Sequence, residues 1–165
     1  MILQDFIRFR KFTLCRGSAS QGDVVTNPGL LLGGCSEWLY LFHGEASLSY
    51  PGGAASVAAG LNDLRDNFGQ PLEYTVASES ASWVGFNPAV RDTSLLVTIL
   101  QAGSVELLDE ELDTYIVPIK GSVQANDKSV AEFANARLPA GKGAVLVVPE
   151  GVLCAIVKVV REVTQ

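Results

Sequence analysis

The sequence predicts an all-β protein, on three observations. Turn residues are abundant and spread along the chain, with 16 glycines and 7 prolines among 165 residues. The segments between them alternate apolar and polar side chains and are rich in β-branched and aromatic residues. Only one brief piece, "LNDLRDNFG", carries helical spacing. Many turns in a short chain mean many short strands.

The expected elements follow in order. "FIRFRKFTLC" is extended, and "NPGLLLGG" is a turn-rich connection. "EWLYLFHGEASLSY" is a long β-prone run, split by Gly44 and closed by "PGG". "ASVAAG" is short, while "LEYTVAS" and "SWVGF" are aromatic and β-branched. From "TSLLVTILQAG" the pattern begins again, through "SVELLD" and "TYIVPIKGSVQA" to a turn at "ND". "ARLPAG", "GAVLVVPEG" and "LCAIVKVVREV" complete it. Gly44 and Gly121 occupy equivalent places in two of these runs, 77 residues apart. Each follows six strand-like residues and precedes another strand and an alanine-glycine turn. This spacing predicts two tandem pseudo-repeats packed as one unit, residues 1–88 and 89–165, joined at "FNPAVRD". A single sandwich whose strands merely resemble one another is the alternative.

Composition narrows the function. Hydrophobic residues make up 48% and charged residues 18%, which excludes a disordered chain. A net charge of −6 argues against nucleic acid, whose binders present a cationic face. The one basic cluster, Arg8, Arg10, Lys11 and nearby Arg16, alternates with Ile7, Phe9 and Phe12 and reads as the wet face of an edge strand. Cys15, Cys35 and Cys154 are odd in number and lack a CxxC pair, so neither a disulfide framework nor a cysteine zinc site follows. The first residues hold no uncharged apolar run long enough for a signal sequence or a membrane span. The expected setting is soluble, reducing and cytoplasmic, with no membrane partner.

Two stretches resemble the cupins. "EWLYLFHGEASLSYPGG" is similar to their central strand pair, with a glutamate, an aromatic, aliphatics and a glycine turn. "LPAGKGAVLVVPEGVLCAI" is similar to their second motif: a turn glycine, an aliphatic strand, then proline-x-glycine and a ligand. The resemblance covers about residues 28–60 and 93–160. It implies the double-stranded β-helix, or jelly-roll, barrel. Metal-dependent cupins supply two histidines and a glutamate from the first motif and another histidine from the second. Here Glu37 matches the glutamate, residues 29–34 contain no histidine, and Cys154 stands at the last ligand position. In the later half Thr114 takes the glutamate position. With His43 the only histidine, one chain cannot build a site of two or three imidazoles. Glu37 with Glu73 or Asp63 would offer carboxylates alone, suited to hard ions. The expectation is therefore a metal-independent protein with no cofactor.

Strand alternation places Glu37, Leu39, Leu41 and His43 on one face. Leu39 and Leu41 beside Glu37 suit a small organic ligand, a carbohydrate or an organic acid, and binding or assembly is the leading function. The alternative is a small isomerase, epimerase or lyase with Glu37, His43 or Tyr74 in acid–base roles. Six residues of strand hold Glu37 and His43 about 20 Å apart, so they cannot touch. His43 and Lys120, beside their turn glycines, also suit solvated strand ends. Cys154, flanked by Leu153 and Ala155, reads as a buried small hydrophobe. Trp38, Tyr40 and Phe42 make the opposite face apolar too, and a strand apolar on both faces is covered on both. A homodimer follows, with those aromatics buried at its interface or between the halves.

Overall fold

The computed structural model describes residues 2–26, 37–50, 53–65, 73–103, 105–110, 113–138 and 142–161. The connection "NPGLLLGG" lies outside them, as do residues 29–34. Every described element is a strand, and the chain divides into two compact units, Met1–Arg91 and Asp92–Gln165.

The first unit holds β1 (Leu3–Arg8), β2 (Phe12–Ser20), β3 (Val24–Thr26), β4 (Trp38–Tyr50), β5 (Gly53–Asp63), β6 (Glu73–Val76) and β7 (Ser80–Pro88). They form one sheet in the order β1-β2-β7-β4-β6-β3, with β5 on the other side of β4. β4 is long enough to serve two neighbours along one side: Trp38 to His43 pair with β7, and Ala46 to Ser49 with β6. "LNDLRDNFG" is not a helix where it is described, because Leu61 to Asp63 close β5 against Trp38 to Tyr40. Cross-strand pairing overrides its weak helical spacing.

The second unit holds β8 (Thr93–Leu100), β9 (Val105–Glu110), β10 (Asp113–Lys120), β11 (Val123–Ala125), β12 (Lys128–Val130), β13 (Ala136–Leu138), β14 (Lys142–Val147) and β15 (Leu153–Arg161). Two four-stranded sheets result, β13-β10-β15-β8 and β12-β11-β14-β9. The turn at "ND" is a two-residue hairpin, with Asn126 and Asp127 both left-handed at φ 48° and 63°. Asn and Asp tolerate that conformation best after glycine. Ile116, Val123, Leu138, Leu146, Cys154 and Ile156 meet in this unit's core.

One irregularity recurs. In β4 the pairing with β7 slips between Leu41 and His43, and Gly44 follows at φ 99°. In β10 the pairing with β15 slips between Pro118 and Lys120, and Gly121 follows at φ 78°. Each slip inserts one extra residue, Phe42 or Ile119, so the strand bends and side-chain alternation changes phase.

β1 pairs with β2 alone among the described residues, at the rim of the sheet. Arg8 and Arg10 are exposed there, and Arg16 is bonded to Asp5 at 2.7 Å on an exposed face. At that exposure the pair adds well under about 1 kcal/mol.

Candidate functional site

The first unit holds a partly open cavity of about 30 Å³ whose wall includes Gln4, Cys15, Leu39, Leu41, Tyr74 and Trp83. Alternation explains the convergence. Leu41 stands opposite Trp83 across β4 and β7, Trp83 opposite Gly17 across β7 and β2, and Gly17 opposite Gln4 across β2 and β1. Residues directly opposite in an antiparallel ladder share a face, so this row points inward together. Leu39 and Cys15, both opposite Gly85, join it one pleat along. Tyr74 enters from β6 with its hydroxyl buried, and among the described residues no charged side chain lines the space.

The thiol of Cys15 is pushed up to about 11 by burial, with the nearby Asp5 charge adding to it. Burial thus favours the neutral thiol, which is a poor nucleophile. The Gln4 amide lies 4.0 Å from its sulfur.

The residues marked in the sequence part company here. Leu39, Leu41 and Tyr74 share the cavity wall. His43 does not. Because Phe42 is an extra residue in β4, His43 stands opposite Ser82 rather than in phase with Leu41. It is exposed on the other face, with Nε2 3.1 Å from Ser80 Oγ and Nδ1 3.1 Å from Ser82 Oγ. The shared face expected for Leu41 and His43 is thus broken by the bulge, which simple period-2 counting cannot register. Glu37 is buried, 2% exposed, at the entry to β4, where its N–H donates to the Phe86 carbonyl; it is not part of the cavity wall. Sequence reasoning passed over Gln4, Cys15 and Gly17 as site residues and left Trp83 among the general aromatics. The signal was the glycine inside an otherwise regular strand.

The second unit has the corresponding inner position filled. Cys154 stands opposite Pro118 just before the slip, as Trp83 stands opposite Leu41. It is fully buried among aliphatic side chains, and burial pushes its thiol up to about 12. Thr114, at the glutamate position, is also fully buried. Lys120 is exposed at its strand end.

These residues do not fit a transition metal. Among the described residues no three His, Cys, Asp or Glu side chains converge. Asp63 is tied to Arg65 at 2.7 Å and held below its ordinary range by that bond, and Glu73 is exposed. Nor do Trp38, Tyr40 and Phe42 form one open apolar face: Trp38 is 9% exposed beneath the Arg65 guanidinium, 4.7 Å from its ring, and Tyr40 and Phe42 are half-buried, edge to face at 5.3 Å. No helix of the described residues is long and apolar enough to cross a membrane.

No family model matches the sequence and no curated protein matches it. Solved structures do match in three dimensions. The protein YhaK from Escherichia coli superposes with a TM-score of 0.66 at 11% identity, over 98% of this chain and 94% of that one. HutD from Pseudomonas fluorescens SBW25 gives 0.62 at 5% identity, over 92% and 80%. The oxalate decarboxylase of Bacillus subtilis, a protein with Mn(II) centres, gives 0.60 at 7% identity, over 94% and 70%. At such identities the likeness is one of fold. These neighbours are cupin-domain proteins, and with its all-strand units this chain has the cupin fold.

Proposed function

We propose that this is a metal-independent cupin-fold protein that binds a small, uncharged organic ligand in its first unit, while its second unit is a packed structural module. The observation that carries the reading is the apolar cavity of the first unit, set beside the burial of Cys154 among aliphatic side chains at the corresponding position of the second. A wall without charge among the described residues disfavours an organic acid, whose carboxylate needs a cation or several donors. The volume also limits the ligand. A water needs on the order of 10–15 Å³, and benzene a cavity of about 150 Å³. A sugar ring therefore does not fit this space as it stands, and a molecule of a few heavy atoms does. The acid–base reading with Glu37 and His43 lacks support, since His43 faces the other side of the sheet.

The matching slips before Gly44 and Gly121 support an origin by internal duplication. We also propose that the protein associates as a homodimer through the edge of β1, where Leu3 is 59% and Phe6 42% exposed.

Calorimetric titration with a panel of small uncharged organics, sugars and carboxylates tests the ligand reading. Binding confined to the first group is expected, and saturable binding of a carboxylate or sugar would overturn it. Elemental analysis after mild purification is expected to find no stoichiometric metal. One zinc, iron, manganese or nickel per chain would refute metal independence.

A further inference from the structure

We infer that Trp83 sets the size limit of the first unit's cavity, with Gly17 as the seat of its indole, and that the space without the indole accepts a planar, uncharged aromatic molecule. This deepens the ligand-pocket reading and rests on it for the pocket's use, though not for the pocket's shape.

Gly17 lies inside β2 with no turn to explain it. A Cβ placed on it would lie 2.6 Å from Trp83 Cζ2, 2.9 Å from Trp83 Cε2 and 2.7 Å from the Leu3 carbonyl oxygen. No side chain survives such approaches, so the ring lies directly on the backbone of β2. The ring also packs against two apolar clusters of the unit, one around Leu39 and Leu41 and one around Val25 and Val76. The cavity is the remainder beside it. Trp83 holds the inner position opposite Leu41 that Cys154 holds opposite Pro118. One unit closes that position with a thiol in an aliphatic core, and the other with an indole set into a glycine notch. Removing an indole takes away more ring than benzene contains, and apolar cavities of about 150 Å³ take up benzene when the walls do not collapse.

The test is the thermal midpoint of wild type and Trp83→Ala with and without indole. Trp83→Ala is expected to melt below wild type and to be raised again by saturating indole, as a ligand specific to the folded state requires. Wild type should show no shift with indole. A wild-type shift equal to the variant's would overturn the inference, because the indole would then not limit access. So would a folded variant that neither indole nor benzene stabilises. Should Trp83→Ala fail to fold, Trp83→Leu keeps part of the apolar volume and is expected to fold and be stabilised by benzene. Failure of both variants to fold would make Trp83 a core residue that nothing replaces, and would also overturn the inference. If wild type ignores every member of the small-ligand panel while Trp83→Ala takes indole, the pocket reading falls and the size limit stands.

Discussion

The two described cysteines show how surroundings, burial above all, decide what a side chain can do. Cys15 and Cys154 carry nucleophilic, metal-binding atoms, yet burial raises their thiols from 9.0 to about 11 and about 12. The sign of the consequence follows from proton binding. Below pH 9 both states hold the proton and the contribution to stability is complete. Above it the unfolded thiol ionises while the folded one does not, so stability falls with rising pH until the folded value is reached. The slope approaches about 1.4 kcal/mol per pH unit for each thiol. Urea unfolding of wild type and Cys154→Ala at about pH 8 and about pH 11 checks this. Wild type is expected to be the more stable at the lower pH, with the gap narrowing by on the order of 2 kcal/mol at the higher one. A gap independent of pH would contradict the burial assigned to Cys154.

Among the elements, β4 and β10 do the most to shape the interior, through one extra residue and one left-handed glycine each. Gly44 is the stricter position. Beyond its φ of 99°, a Cβ there would lie 2.5 Å from the Ser80 carbonyl oxygen and 2.8 Å from Ala81 Cα, both backbone. At Gly121 the nearest atom is a Val152 methyl at 2.7 Å, a side chain with some room to turn. Gly121→Ala should therefore cost about 1–2 kcal/mol, mainly for conformation, and Gly44→Ala about 3 kcal/mol or more. Denaturant midpoints measure both. Equal, negligible losses would mean that these glycines are not strand bends, and would remove the support they lend to duplication.

At the scale of the whole molecule the open question is association. The sequence directs attention to Trp38, Tyr40 and Phe42, but those rings are buried or half-buried in the structure. Among the described residues of the first unit, three of the four large exposed apolar side chains, Ile2, Leu3 and Phe6, lie on or beside β1, and the fourth, Val24, lies on β3. A strand edge with unpaired backbone groups and such side chains is a template for a second copy. Light scattering at micromolar concentration should return twice the chain mass, and Leu3→Lys with Phe6→Lys should return a folded monomer whose melting temperature is lower and no longer depends on concentration. A monomeric wild type would refute the dimer. A dimer that survives both lysines would move the interface elsewhere.

The sequence by itself determined the strands, the turn at "ND", the cupin-like barrel and the shortage of imidazoles, with His43 the only histidine. Those properties live in local alternation, turn chemistry and residue identity, which need no tertiary information. It also placed Leu39 and Leu41 inward, because regular alternation holds up to Leu41. Only the tertiary structure decided the fate of His43, since an extra residue in a strand reverses its face without any mark in composition. Likewise, only cross-strand register brought Gln4, Gly17 and Trp83 into one row, joining residues that lie 13 and 66 positions apart. Gly17 reads as an unremarkable glycine until the indole lying on it is seen. Its reason is a steric contact between distant segments, and no local pattern encodes that.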